Sequence, residues 1–126
     1  MNMPSKKILI VEDEESLLKL ESILLSSKGY SVVGVMDGKA ALEEVKINRP
    51  DLVVLDIMLP EMDGFEVCRR IKENPATSSI PIVMLTAKKS SNDVERGKQS
   101  GAEAYITKPF KSAKVIEVIE SLTNGH

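Results

Sequence analysis

Aromatic side chains are nearly missing from this chain: two tyrosines, two phenylalanines and no tryptophan among 126 residues. With little to stack bases on, and with 17 Lys and Arg interspersed among 19 Asp and Glu for a formal net charge of −2, direct nucleic-acid binding is not expected. No apolar run approaches the ~18 residues that make a membrane-spanning helix, so no membrane contact is expected either. The single cysteine, Cys68, has no intramolecular partner and lies in a helical pattern, so it reads as a buried thiol. The single histidine, His126, is the last residue, which disfavours zinc. Residues 1–7 contain neither an apolar h-region nor a small-residue cleavage site, and the expectation is a soluble, cytoplasmic protein without a secretory signal. Linkers, low-complexity tracts and internal repeats are lacking too. A chain this long suits one hydrophobic core, so residues 1–126 are expected to form a single domain.

What the chain does have is alternation. Five apolar, β-branched segments, at 7–11, 31–36, 52–55, 82–85 and 104–106, alternate with helical patterns. Their apolar runs are continuous, as burial on both faces of a parallel sheet requires. Helices are expected at 15–28, 38–48, 65–73, 91–100 and 111–123. The first carries Leu17, Leu18, Leu20, Ile23, Leu24 and Leu25 on its inner side and is ended by Gly29. The second is entered at Asp37 as N-cap and stopped by Arg49-Pro50. The fourth is weak: Val94 is its only large apolar residue, and Gly97 inside it costs ~1 kcal/mol against alanine. Right-handed crossovers with one reversal of direction then give an α/β fold, a (βα)5 doubly wound parallel sheet of the flavodoxin-like type, in the order 2-1-3-4-5.

In that order strands 1, 3, 4 and 5 bring their carboxyl ends to one rim, where open α/β sheets place their chemistry. Glu12 and Asp13 follow the first strand, Asp56 the third, Thr86 the fourth, and Lys108 lies just beyond the fifth. Like charges ~4 Å apart repel by ~4 kcal/mol at an effective dielectric of ~20, so three clustered carboxylates call for a neutralising cation. Oxygen-only ligation with few protein ligands suits Mg²⁺ better than Ca²⁺, with Mn²⁺ as a substitute. A hydroxyl from Thr86 and an ammonium from Lys108 are what an incoming anionic oxygen needs, and with Mg²⁺ they would surround a phosphoryl group in transfer.

Four stretches carry a resemblance: Ile8-Leu9-Ile10-Val11-Glu12-Asp13-Glu14, the run from Asp56 through Met58-Leu59-Pro60 to Asp63-Gly64, Leu85-Thr86-Ala87, and Gly101 through Tyr105 to Lys108-Pro109-Phe110. In order and interval they are similar to the receiver domain (CheY-like) of two-component response regulators, over about residues 6–122. The resemblance implies that Asp56 accepts a phosphoryl group from a histidine kinase or histidine phosphotransfer protein and becomes an aspartyl phosphate. Glu12, Asp13, Asp56 and the backbone carbonyl of Met58 would hold Mg²⁺. Lys108 would pair with the carboxylate before transfer and with the phosphoryl oxygens after it. Thr86 and Tyr105 would act as a switch pair, the hydroxyl moving to the phosphate and the ring turning inward. A cis bond is expected at Lys108-Pro109, and Met58 and Lys88 are expected to flank the path of attacking water and slow hydrolysis. The fourth helix, fifth strand and fifth helix would then control an output domain, a target protein or homodimer formation. The domain would catalyse only its own phosphorylation and dephosphorylation, and so is not an enzyme in the ordinary sense. It is expected to be either a stand-alone regulator or a piece of a longer protein.

Taken singly, each residue has a plainer account. Glu12 and Asp13 suit a helix N-terminus, Asp56 an Asx turn, Thr86 a helix cap, Lys108 the surface and Tyr105 the core. Only the joint pattern points to chemistry. A nucleotide- or flavin-binding domain would need a phosphate-cradling loop where Glu12-Asp13-Glu14-Glu15 stands. An aspartate-nucleophile phosphatase would need a cap for which there is no room. The serious alternative is an unphosphorylated pseudo-receiver acting as a protein-docking module.

Overall fold

The central strands are apolar at almost every position because each is covered on both faces. In the computed structural model, which describes residues 5–86, 95, 99–108 and 111–123, five parallel strands make one sheet. They are β1 (Lys7–Val11), β2 (Ser31–Val35), β3 (Leu52–Asp56), β4 (Ile82–Thr86) and β5 (Ala104–Thr107), in the order β2-β1-β3-β4-β5. The described helices are α1 (Glu15–Ser26), α2 (Gly38–Asn48), α3 (Gly64–Glu73) and a C-terminal helix (Ser112–Thr123). Of the helix expected at 91–100, only Glu95, Gln99 and Ser100 are described, and they are helical; the rest lies outside the described residues. The doubly wound order read from the alternation is the observed one.

Alternation along the strands sorts the core into two layers. Leu9, Val53, Leu55 and Met84 face Val45 of α2 and Val67, Cys68 and Ile71 of α3. On the other face Ile10, Val54, Leu85 and Ile106 meet Leu25 of α1 and Val115 and Ile119 of the C-terminal helix. Each fully buried aliphatic side chain contributes ~1.5–3 kcal/mol. Two helix starts are capped: Asp37, as expected, accepts from the Ala40 N–H at 2.8 Å, and Asp63 accepts from the Glu66 N–H at 3.0 Å.

Strand ends differ by one residue from the expected ones, and the difference matters. β3, β4 and β5 each run one residue further, so Asp56, Thr86 and Thr107 are strand residues held in the ladder. β2 stops at Val35, one residue early.

α1 shows the larger departure. Leu20 and Ile23, expected inside, are 50% and 65% exposed, whereas Glu21 and Leu25 are buried. Gly34 of β2 accounts for this phase. A Cβ there would lie 2.7 Å from Leu18 Cδ1, so the bare backbone is what lets Leu18 seat against the strand. Once Leu18 is inward, helical geometry brings positions 21 and 25 in after it. The helix also stops at Ser26, before Gly29 turns the chain with φ +97°.

Candidate functional site

The loop after β3 leaves the sheet at the rim, and the close approach of α3 shapes it. At the first residue of α3, Gly64, an added Cβ would sit 2.4 Å from the Asp56 carbonyl oxygen and 2.8 Å from Ile57 Cα. The Gly64 N–H donates to the Ile57 carbonyl at 2.9 Å. Glycine therefore lets the 57–63 turn fold back against the strand that ends in Asp56.

Asp56 is 3% exposed. Its Oδ1 accepts from the Met58 N–H at 3.1 Å and its Oδ2 from Lys108 Nζ at 2.9 Å. The same ammonium donates to Glu12 Oε1 at 3.2 Å, and Glu12 Oε2 accepts from the Glu14 N–H at 3.2 Å. Lys108 is steered there from its backbone, whose N–H donates to the Thr86 carbonyl at 2.7 Å. Asp13 is exposed, yet one carboxylate oxygen each from Glu12, Asp13 and Asp56 lie within 4.8 Å of one another.

Burial pushes the Glu12 carboxyl up from its ordinary range, and the neighbouring charge of Asp56 pushes it further. Burial alone would lower Lys108, but its hydrogen bond to Asp56 and the charges of Asp56 and Glu12 outweigh that, and the ammonium is held above its usual range. One cation thus serves two buried carboxylates. The oxygen-only donor set, without nitrogen or sulfur, suits a hard divalent ion such as Mg²⁺.

Strand register divides the remaining candidates. Asp56 pairs with Leu85, on the face covered by α1 and the C-terminal helix, while Tyr105 pairs with Met84 on the α2–α3 face. Thr86, one residue after Leu85, is 4% exposed at the end of β4. The Tyr105 ring is half-buried, its hydroxyl is buried without a hydrogen-bond partner among the described residues, and burial, followed by Cys68, pushes it up to about 12. Met58 is 73% exposed beside the site. Lys88 and Pro109, and with them the expected cis bond, lie outside the described residues. Cys68 is buried as expected, its thiol donating to the Ser100 carbonyl at 3.4 Å.

One residue was missed by sequence reasoning. Glu21 is 1% exposed, and its Oε1 has no hydrogen-bond partner among the described residues. Burial, then the charge of Glu12, pushes it up to about 7 against the opposing pull of Lys108. The 18-21-25 line of α1 was the available signal, masked by leucines on every side of the helix.

The fold and the rim together define a doubly wound α/β domain with an acidic, lysine-bridged centre at its strand ends. Residues 8–120 match the response regulator receiver domain, and the chain belongs to this family, the receivers of two-component signalling. It is 44% identical over 111 residues to the alkaline phosphatase synthesis transcriptional regulatory protein PhoP of Bacillus subtilis, covering 88% of this chain and 45% of that protein. It is 45% identical over 116 residues to the DNA-binding response regulator MtrA of Mycobacterium tuberculosis, covering 92% of this chain and 50% of that one. The chain therefore spans about half the length of these relatives. Among solved structures, the receiver domain of a Pseudomonas aeruginosa sensor histidine kinase, with a magnesium ion coordinated in its active site cleft, superposes with a TM-score of 0.89. It is 31% identical, covering 96% of this chain and 99% of that one. No helix among the described residues is long and apolar enough to cross a membrane.

Proposed function

We propose that Asp56 accepts a phosphoryl group from the phosphohistidine of a histidine kinase or phosphotransfer protein. The observation that carries this reading is the Asp56 carboxylate itself, buried at the end of β3, held by Lys108 and flanked by two further acids. A carboxylate oxygen attacks phosphorus, the P–N bond of the donor breaks, and its electron pair returns to the imidazole, which takes up a proton. The product is an aspartyl phosphate.

Glu12, Asp13 and Asp56, with the Met58 carbonyl, would hold Mg²⁺ or Mn²⁺, which when bound neutralises the carboxylates and the transferred group's oxygens. Lys108 moves its hydrogen bonds from Asp56 to the phosphoryl oxygens. Thr86 supplies a hydroxyl donor to the same group, and Tyr105 occupies the inward position behind it. The added charge shifts the population of the face that includes β5 and the C-terminal helix. That face controls an output domain, a target protein or self-association, in the cytoplasm. Beyond making and hydrolysing its own aspartyl phosphate, the domain converts no substrate.

Intact mass after incubation with acetyl phosphate and Mg²⁺ tests this. A gain of one phosphoryl group is expected, lost in Asp56→Asn and with a chelator. An unchanged wild-type mass, repeated with phosphorylated kinases as donors, overturns the reading in favour of an unphosphorylated docking module.

A further inference from the structure

α1 covers the same face of the sheet from which Glu12 and Asp56 project, and it turns one acid toward that face. Glu21 is shielded from water and one of its oxygens has no hydrogen-bond partner among the described residues. An isolated carboxylate anion in such a place is far more costly than the neutral acid. The groups that act on it are Glu12 at the end of β1, Lys108 beyond β5, Asp56 at the end of β3, and Glu14 in the loop before α1. β2 carries no charged side chain, and Lys114, Glu117 and Glu120 of the C-terminal helix are exposed, as are Glu15, Lys19 and Lys28 around α1.

We propose that Glu21 is a proton-carrying fourth acid of the centre, which holds its proton more firmly while the rim has only its own carboxylates and Lys108 and releases it when a divalent cation binds there. This rests on the reading of Glu12, Asp13 and Asp56 as a cation site. Burial first, and then the rim carboxylates against the pull of Lys108, hold the proton on Glu21, and a dication placed among those carboxylates opposes their field. The O–H bond breaks, its electron pair stays on the carboxylate, and the proton passes to water and buffer. Linkage makes the effect reciprocal: cation affinity rises with pH across the range in which Glu21 loses its proton. Glu21 touches neither cation nor phosphoryl group and is a positioning residue that acts through charge.

Mg²⁺ titration calorimetry in two buffers of different ionisation heat counts the protons released on binding. With Glu21 about half-protonated near pH 7, wild type should release about 0.3–0.5 proton per Mg²⁺ more than Glu21→Gln. By about pH 8.5, where Glu21 is already ionised, that difference should vanish and Glu21→Gln should bind Mg²⁺ more weakly than wild type. Glu21→Leu, which fills the position with an apolar side chain, serves the same comparison if the amide variant folds poorly. Equal proton release by wild type and variants, with Mg²⁺ bound to all of them, overturns the proposal. Absence of Mg²⁺ binding by wild type overturns the cation site first, and the role of Glu21 with it.

Discussion

Lys108 donates to both Asp56 and Glu12, so two carboxylates sheltered from water share one counter-charge. The arrangement is tight enough that small changes around it should be felt. Gly64→Ala puts a methyl group against Asp56 and Ile57 backbone atoms that cannot step aside. It should lower stability by about 1–3 kcal/mol, read as a reduced urea midpoint, with slower phosphoryl gain. Glu21 acts in the other direction. Its acid is pushed up to about 7 in the fold from an ordinary 4.5, so between those values the unfolded chain gives up the proton first. The stability that the protonated Glu21 retains is therefore fully present below that window and is lost as pH rises through it. With chelator present, Glu21→Leu should therefore gain on wild type by on the order of 2–3 kcal/mol between about pH 4.5 and pH 7. Urea unfolding across that range checks it, and a gain independent of pH would contradict it.

At the scale of elements, α3 is fastened at its far end as well as at the rim. Lys72 donates to the Ser78 carbonyl at 3.1 Å, the Ile80 carbonyl at 2.8 Å and the Glu103 carboxylate at 2.7 Å. Glu103 in turn accepts from the Ile82 N–H at 2.8 Å, so one lysine ties α3 to the starts of β4 and β5. Lys72→Met should cost about 1–3 kcal/mol by leaving these acceptors short of a donor. Hydrogen exchange should rise at Ile82 and Glu103 before it rises at Asp56. Strands were the legible part of this architecture because burial on both faces leaves a continuous apolar run, and all five fell within a residue of expectation. α1 was not legible in the same way. Leucine and isoleucine lie around most of its circumference, so periodicity alone could not say which side meets the sheet. That choice was made by Gly34, a residue of another element and distant in sequence, and it hid Glu21 while leaving Leu20 and Ile23 outside.

Over the whole molecule, the crossover connections make residues far apart in sequence into neighbours. Glu12 and Lys108, 96 positions apart, share a hydrogen bond, and Asp56 lies between them. Glu12, Asp13, Asp56 and Lys108 were legible as a set because a parallel sheet of known order sends all its strand ends to one rim. Distances, the shared ammonium and the buried fourth acid required the folded chain. Every other proposed role depends on one, that of Asp56 as carrier of the phosphoryl group. Reduction of the phosphorylated domain with borohydride converts an aspartyl phosphate to homoserine, and peptide mass spectrometry then locates it. Homoserine at position 56 alone is the predicted result; homoserine at Asp13 with Asp56 unmodified, or none from a phosphorylated sample, would contradict the account.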